Sequence, residues 1–75
     1  QGHMANAIER FDQALRTPEI TRDARVGLYY DLATALEAQG NAERAQAQLQ
    51  AIVDEGQPDF LDTQERLQRL SAANG

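Results

Sequence analysis

The chain has 75 residues, a net charge of −5 and no cysteine. The lack of cysteine excludes disulfides and thiolate metal sites, and a chain this short can build only one small core. Acidic residues outnumber basic ones by 12 to 7, and the apolar runs are far shorter than the roughly 20 residues of a membrane span, so nucleic acid and membranes are poor partners.

The chain opens with Gln1-Gly2-His3-Met4, which has the look of a cloning scar and is left out of functional reasoning. These residues include the only histidine and the only methionine. All seven cationic residues are arginines, a composition that hints at a GC-rich bacterial source. Residues 5–16 are predicted to form the first helix, which ends before Thr17-Pro18 because proline disfavours helix in the residue before it. Its apolar stripe comprises Ala7, Ile8, Phe11, Ala14 and Leu15.

Residues 21–39 are predicted to form the second helix, with Thr21 as its N-cap. Apolar residues recur there at three- and four-residue steps. They are Leu28, Tyr29, Leu32, Ala33 and Leu36. Gly40-Asn41 predicts that the second helix ends here and that the third begins immediately afterwards. Glycine suits the left-handed position after a helix, and asparagine caps the next helix.

Residues 42–55 are predicted to form the third helix, which Gly56 and Pro58 end. Its inward residues are Ala45, Leu49, Ile52 and Val53. A fourth helix is predicted over residues 59–73, with Phe60, Leu67 and Leu70 on one side. Its predicted solvent-facing residues are Glu65, Arg66, Gln68 and Arg69. Short links force antiparallel neighbours, so we expect an all-α fold of antiparallel helical hairpins with about four helices.

An internal repeat accompanies this helical pattern. In each of two places a small residue is followed four positions later by a large one: Ala7 by Phe11, and Ala45 by Leu49. The two pairs are offset by 38 residues, close to a 34-residue repeat with a four-residue insertion between residues 17 and 23.

The segment from Tyr29 to Ala45, Tyr-Tyr-Asp-Leu-Ala-Thr-Ala-Leu-Glu-Ala-Gln-Gly-Asn-Ala-Glu-Arg-Ala, resembles the first helix, turn and second-helix start of a tetratricopeptide repeat (TPR). The matching positions are Tyr29, Leu32, Ala33, Leu36, Gly40, Ala45 and Leu49. Two positions depart from the family pattern: Pro58 lies one residue late, and Ile52 replaces a small residue.

The resemblance implies a single TPR-like α-solenoid domain over residues 5–75. Residues 5–16 would be the second helix of a preceding repeat, residues 21–56 one full repeat, and residues 59–73 a following or capping helix. Because the pattern begins inside a repeat, we expect the chain to be the C-terminal part of a longer bacterial repeat protein.

Reactive groups are scarce. Beyond the opening residues the sequence has no histidine, and Ser71 is the only serine, so we expect no enzymatic activity. Asp54-Glu55 and Asp59-Asp62 lack the spacing and the central glycine of a calcium loop, which favours solvated helix ends over a metal site. No glycine-rich run could cradle a phosphate, and no cofactor is expected.

The resemblance also places a partner-binding face on the second helix, on the concave side of the stack. Its residues are Gly27, Tyr30, Asp31, Thr34 and Glu37. Tyrosine suits such a face because it combines a large apolar ring with a hydroxyl; the alternative is that Tyr30 packs against the preceding helix. Tyr30, Asp31 and Thr34 occupy the positions at which some family members use lysine and asparagine to bind acidic chaperone termini, so the resemblance implies that this binding mode is absent. The acidic face favours a basic or mixed partner.

Three functions remain open at this point. The first is a non-enzymatic adaptor or scaffold that binds a peptide or protein on its concave face. The second is self-association, as a homodimer, through exposed apolar helix faces. The third is a capping segment of a larger protein whose activity lies elsewhere.

Overall fold

The computed structural model describes the backbone of residues 2–74 and the side chains of residues 6–72. Within these residues the chain forms four α-helices and no strand, which confirms the predicted all-α class. The helices are α1 (Gly2–Leu15), α2 (Arg22–Ala38), α3 (Ala42–Asp54) and α4 (Thr63–Asn74). Helix α1 begins at Gly2, three residues before its predicted start, since nothing in the sequence of the presumed scar breaks a helix. Gln1, the first residue of that scar, lies outside the described residues.

The predicted helix ends around α2 and α3 are confirmed. The Thr21 side chain accepts a hydrogen bond from the Ala24 amide at 3.2 Å and caps α2. Gly40 adopts a φ of +85°, and Asn41 caps α3 by accepting from the Arg44 amide at 3.3 Å. The Asn41 amide also donates back to the Leu36 carbonyl at 2.8 Å, as expected when a left-handed glycine ends a helix.

The predicted start of α4 is wrong by four residues. Residues 58–62 form turns, and Leu61 has a φ of +49°, which no right-handed helix accommodates. The Thr63 hydroxyl donates to the Phe60 carbonyl at 2.6 Å, and the Arg66 amide donates to the Asp62 carbonyl at 2.9 Å. The acidic residues from Asp59 to Asp62 therefore lie in the connection before the helix.

The core lies mainly between α2 and α3, with α1 and α4 packed on either side. Eight of the seventeen residues predicted to lie on the apolar stripes are among its buried members, and the other nine are half-buried. The buried members are Ile8, Val26, Leu32, Ala33, Ala35, Leu36, Ala45, Leu49, Ile52 and Leu70. Ala33 and Ala45 are both fully buried, and such small residues let neighbouring helices approach closely. Val26 and Ala35 join the core although they were not predicted to.

Polar contacts fix the relative directions of the helices. Arg25, near the start of α2, forms an ion pair with Glu55 at the end of α3, so these helices are antiparallel. The Gln46 side chain, near the start of α3, donates to Ser71 near the end of α4 at 3.3 Å, which makes this pair antiparallel too. Helices α2 and α4 consequently run in the same direction.

Polar side chains also link α2 with α4 and α1 with α3. Thr34 of α2 contacts Arg66 of α4, and Tyr30 of α2 contacts Asp62, the residue just before α4; the residues of each pair are 32 positions apart. Helix α1 approaches α3 through Asp12 and Arg44, whose charged groups lie 3.6 Å apart. The Cα atoms span 35 × 33 × 16 Å, a slab of helices two layers thick.

Candidate functional site

A buried arginine lies between α2 and α4. Arg66 was predicted to face water, and that prediction is wrong, because only 7% of the residue is exposed. Its Nη1 donates to the Thr34 hydroxyl at 3.0 Å, and its Nη2 pairs with the Glu37 carboxylate. Its Cζ lies 4.9 Å from the centre of the Tyr30 ring, within reach of a cation–π interaction.

Three different groups thus surround one guanidinium. We call Tyr30, Thr34 and Glu37 the arginine pocket. Their spacing of four and three residues places them on one face of a helix, one above the other. The Thr34 hydroxyl also donates to the Tyr30 carbonyl at 3.1 Å, which fixes its orientation toward Arg66. The α2 face therefore offers a ring, a hydroxyl and a carboxylate in a row.

Arg66 remains positively charged although its side chain is buried. Removal from water disfavours the cation, but the hydrogen bonds with Glu37 and Tyr30 outweigh that effect and raise the pKa of Arg66 above its usual value. The guanidinium is therefore a permanent positive charge facing α2. No buried side-chain nitrogen or oxygen in the described part of the chain lacks a hydrogen-bond partner.

Tyr30 joins α2 to the segment that precedes α4. Its hydroxyl donates to the Asp62 carboxylate, and its ring packs edge-on against Phe60 with the centroids 5.6 Å apart. The hydrogen bond to Asp62 stabilises the neutral phenol and raises the pKa of Tyr30, and burial acts in the same direction. The same bond stabilises the Asp62 carboxylate and lowers its pKa. The structure thus places Tyr30 against the segment that follows in the chain.

The five residues predicted to bind a partner have unequal surroundings. Tyr30, Thr34 and Glu37 are brought together by Arg66. Asp31 is exposed, and no hydrogen bond or ion pair of its side chain is seen in the described residues. Gly27 lies one turn before Asp31 on α2, is half-buried, and has nothing within 4 Å of the position where a Cβ would stand.

Sequence reasoning missed the α4 side of this site. Asp62, Arg66 and Phe60 were not among the predicted binding residues. One signal was present: Thr63, Arg66, Leu67 and Leu70 recur at helical three- and four-residue steps, so Arg66 stands within the stripe that faces the core. Arginine is normally expected to face solvent, so the sequence analysis did not place Arg66 in the core.

Two open depressions lie on either side of α4. One, of about 440 Å³, borders the connection before α4 and includes Asp59, Asp62 and Glu65 beside Leu61. The other, of about 250 Å³, lies between α3 and α4 and is lined by Gln50, Val53, Gln64, Leu67 and Gln68. Leu61 is 69% exposed, and among the described residues it is the one large hydrophobic residue that is exposed rather than buried or half-buried. Neither depression is lined by a histidine, cysteine or serine.

Searches for two other kinds of site returned nothing in the described residues. No group of three histidine, cysteine, aspartate or glutamate side chains there could hold a metal ion. Among the helices there, none combines the length and the apolar character needed to cross a bilayer.

Comparison of the chain with protein-family models, with curated proteins and with solved structures gives no significant match.

Proposed function

We propose that this chain is a non-enzymatic protein–protein interaction module of the TPR type, which binds a peptide or protein partner on the face formed by α2 and α4. The observation that carries the proposal is that α2 and α4 run in the same direction and are linked by Arg66, which reaches from α4 to Thr34 and Glu37 of α2. In stacked helical repeats the equivalent helices of successive repeats are neighbours and line one surface.

The burial pattern supports the same interpretation. Arg66 and Leu70 are the buried long side chains of α4, and they follow the fully buried Leu32 and Leu36 of α2 at a separation of 34 residues. That separation equals the TPR period. In this interpretation α4 is the first helix of a following repeat, and Arg66 occupies a position that holds a leucine in α2.

Asp31 is the residue best suited to a test. It is exposed on the α2 face, and within the described part of the chain its side chain has no hydrogen bond or ion pair that a replacement would break. Tyr30 is unsuitable, because its loss would also loosen Phe60 and Arg66 from α2.

The experiment is selection of a displayed library of random 12-residue peptides on the immobilised chain. We expect enriched peptides whose affinity falls at least tenfold for Asp31→Arg. The same peptides should bind the matched control Glu9→Arg, an exposed site on α1, as they bind the original chain. Failure to enrich any peptide above the blank surface, or equal loss in both variants, would contradict the proposal.

Self-association is a second candidate function, and Leu61 favours it. This leucine projects into solvent beside the larger depression, and a second copy of the chain would cover it. Sedimentation velocity across a hundredfold range of concentration tests the idea. We expect dimer formation that Leu61→Ser abolishes, and a monomer at every concentration would exclude it.

A further inference from the structure

We infer that the larger depression beside α4 is the anchoring site for a basic segment of the protein partner, which places a large apolar side chain against Leu61 while α4 keeps its position against α2 and α3. The inference rests on the proposed function and deepens it. It names the part of the binding face that anchors the partner and the chemistry of the partner segment.

The depression adjoins the binding face and exists without any movement of α4. Seven residues between Pro58 and Gln68 line it, all of them in the connection before α4 or in the first half of that helix. Asp62 belongs both to this lining and to the contact with α2, because it accepts the hydrogen bond of the Tyr30 hydroxyl. A segment bound in the depression can therefore extend from there to α2, where Asp31 is exposed.

Leu61 combines a backbone and a surface that the fold alone does not require. It is 69% exposed and has a φ of +49°, a conformation that glycine and asparagine adopt at lower cost than leucine does. Among the described residues it is not one of the side chains that pack against the core. An exposed leucine at a strained position is accounted for by a bound partner that covers its side chain.

Charge decides which kind of partner fits. Asp59, Asp62 and Glu65 line the depression, and no basic residue does. Within the described part of the chain the carboxylates of Asp59 and Glu65 make no hydrogen bond or ion pair. The two arginines of α4 pair with Glu37 instead. An arginine or lysine on the partner thus meets carboxylates that the chain itself does not neutralise.

The same charge disfavours a second copy of the chain as the occupant. A copy brings its own net charge of −5, so the two molecules repel each other. Its arginines between residues 10 and 25 alternate with acidic residues, and they form no basic run that would match the depression. A basic segment of a different protein is the better complement. Self-association through Leu61 is the competing occupant, and the experiments below distinguish the two.

One substitution separates binding from folding. Leu61→Asn keeps the left-handed turn, since asparagine adopts it more readily than leucine does, and removes the apolar contact. In the selection from the 12-residue peptide library, we expect enriched peptides to carry a large apolar residue within two positions of an arginine or lysine. Their affinity should fall at least tenfold for Leu61→Asn, while the melting temperature of the chain stays the same or rises. A melting temperature that falls together with the affinity would assign Leu61 to the fold and overturn the inference.

A matched pair of double variants tests the acidic lining. Asp59→Asn with Glu65→Gln removes two charges at the depression, and Glu9→Gln with Glu43→Gln removes two from exposed positions on α1 and α3. Glu65 and Glu43 both lie in the first turn of a helix, and the two variants have the same net charge. A general attraction of basic peptides to the chain therefore weakens equally in both. We expect at least a tenfold loss of affinity in the first variant and less than a threefold loss in the second, and equal losses would overturn the inference.

The outcomes separate this inference from the proposed function and from self-association. Enriched peptides that depend on Asp31 but not on Leu61 would leave the interaction module standing and overturn the anchoring site. No enrichment at all would overturn both. A dimer in sedimentation velocity that Leu61→Asn abolishes, with peptide binding unaffected by that change, would show that a second copy occupies the depression and would likewise overturn the inference.

Discussion

At the scale of single residues, Arg66 shows how a charge can occupy a position within a core-facing stripe. The side chain crosses from α4 to α2 and ends among groups that satisfy its donors. A buried charge is tolerated when it is paired and hydrogen-bonded, and removing one partner leaves the other unpaired. The contribution of Arg66 to stability thus depends on Thr34 and Glu37 rather than on its own burial.

The first prediction compares two arginines on α4. Arg66→Gln is expected to lower the free energy of unfolding by about 2 kcal/mol, because hydrogen bonds to a charged group are lost. Arg69→Gln is expected to cost about 0.3 kcal/mol, since that side chain is 63% exposed and lies 3.9 Å from Glu37. Urea denaturation followed by circular dichroism measures both. Equal losses would show that the buried position of Arg66 has no energetic consequence.

The second prediction concerns the ionisation of Tyr30. The hydrogen bond to Asp62 raises the pKa of Tyr30, so folding favours the neutral phenol. This stabilisation is complete below the ordinary pKa of 10.0 and is lost as the pH rises through the raised value. In a Tyr29→Phe background, absorbance at 295 nm should give a midpoint above 10.0. Adding Asp62→Asn should bring that midpoint down, and a midpoint at or below 10.0 with Asp62 present would contradict the contact.

At the scale of the helices, the ends were predictable where a single residue type has a specific backbone role. Thr21, Gly40 and Asn41 behave as their chemistry requires. The start of α4 was not predictable, because acidic residues suit both a first turn and a loop. The choice depends on the Thr63 hydroxyl, which donates to the Phe60 carbonyl within the segment, and on Phe60, which packs against the core.

The third prediction uses two glycines with different backbones. Gly40→Ala should lower the free energy of unfolding by about 1 kcal/mol, because an alanine is strained at a φ of +85°. Gly27→Ala should raise it by about 0.7 kcal/mol, because Gly27 lies within α2 with open space around a new methyl group. Thermal denaturation of the two variants checks the signs, and destabilisation by Gly27→Ala would mean that this face is more closely packed than the structure shows.

The fourth prediction concerns the ion pair between α2 and α3. Arg25 donates to both carboxylate oxygens of Glu55, at 2.6 and 3.1 Å, and lowers the pKa of Glu55 from its ordinary 4.5. The stabilisation is present above pH 4.5 and is lost as the pH falls through the lowered value. The original chain should therefore lose more stability between pH 6 and pH 3 than Glu55→Gln does. Arg25→Gln is the matched partner variant and should show the same shallower dependence; equal slopes in all three chains would count against the pair.

At the scale of the whole molecule, the apolar pattern was sufficient to predict the all-α fold class and the order of the helices along the chain. Leu32, Leu36, Leu49 and Ile52 are buried as their spacing predicts. The pattern did not reveal that α4 would lie along α2, because the contacts between them are made by polar side chains. A polar residue within an apolar stripe is normally expected to face solvent, and only the relative placement of the two helices shows which groups it contacts.

The two halves of the candidate site differ in how far the sequence predicted them. The α2 half, including Tyr30, Thr34 and Glu37, was predicted from one helix and its resemblance to a family. The α4 half depends on Arg66 reaching across between helices; the spacing within α4 places Arg66 on the core-facing side but does not show that it meets Thr34 and Glu37. The account therefore rests on one structural claim, the contact of Arg66 with Tyr30 across α2 and α4.

Nuclear Overhauser spectroscopy of the isotopically labelled chain tests that claim most directly. The account predicts cross-peaks between the Tyr30 ring protons and the side-chain protons of Arg66, together with cross-peaks to the Phe60 ring, at the distances that the structure gives. Ring currents from Tyr30 should also shift the Arg66 resonances upfield. An intact α4 without any cross-peak between Arg66 and Tyr30 would contradict it.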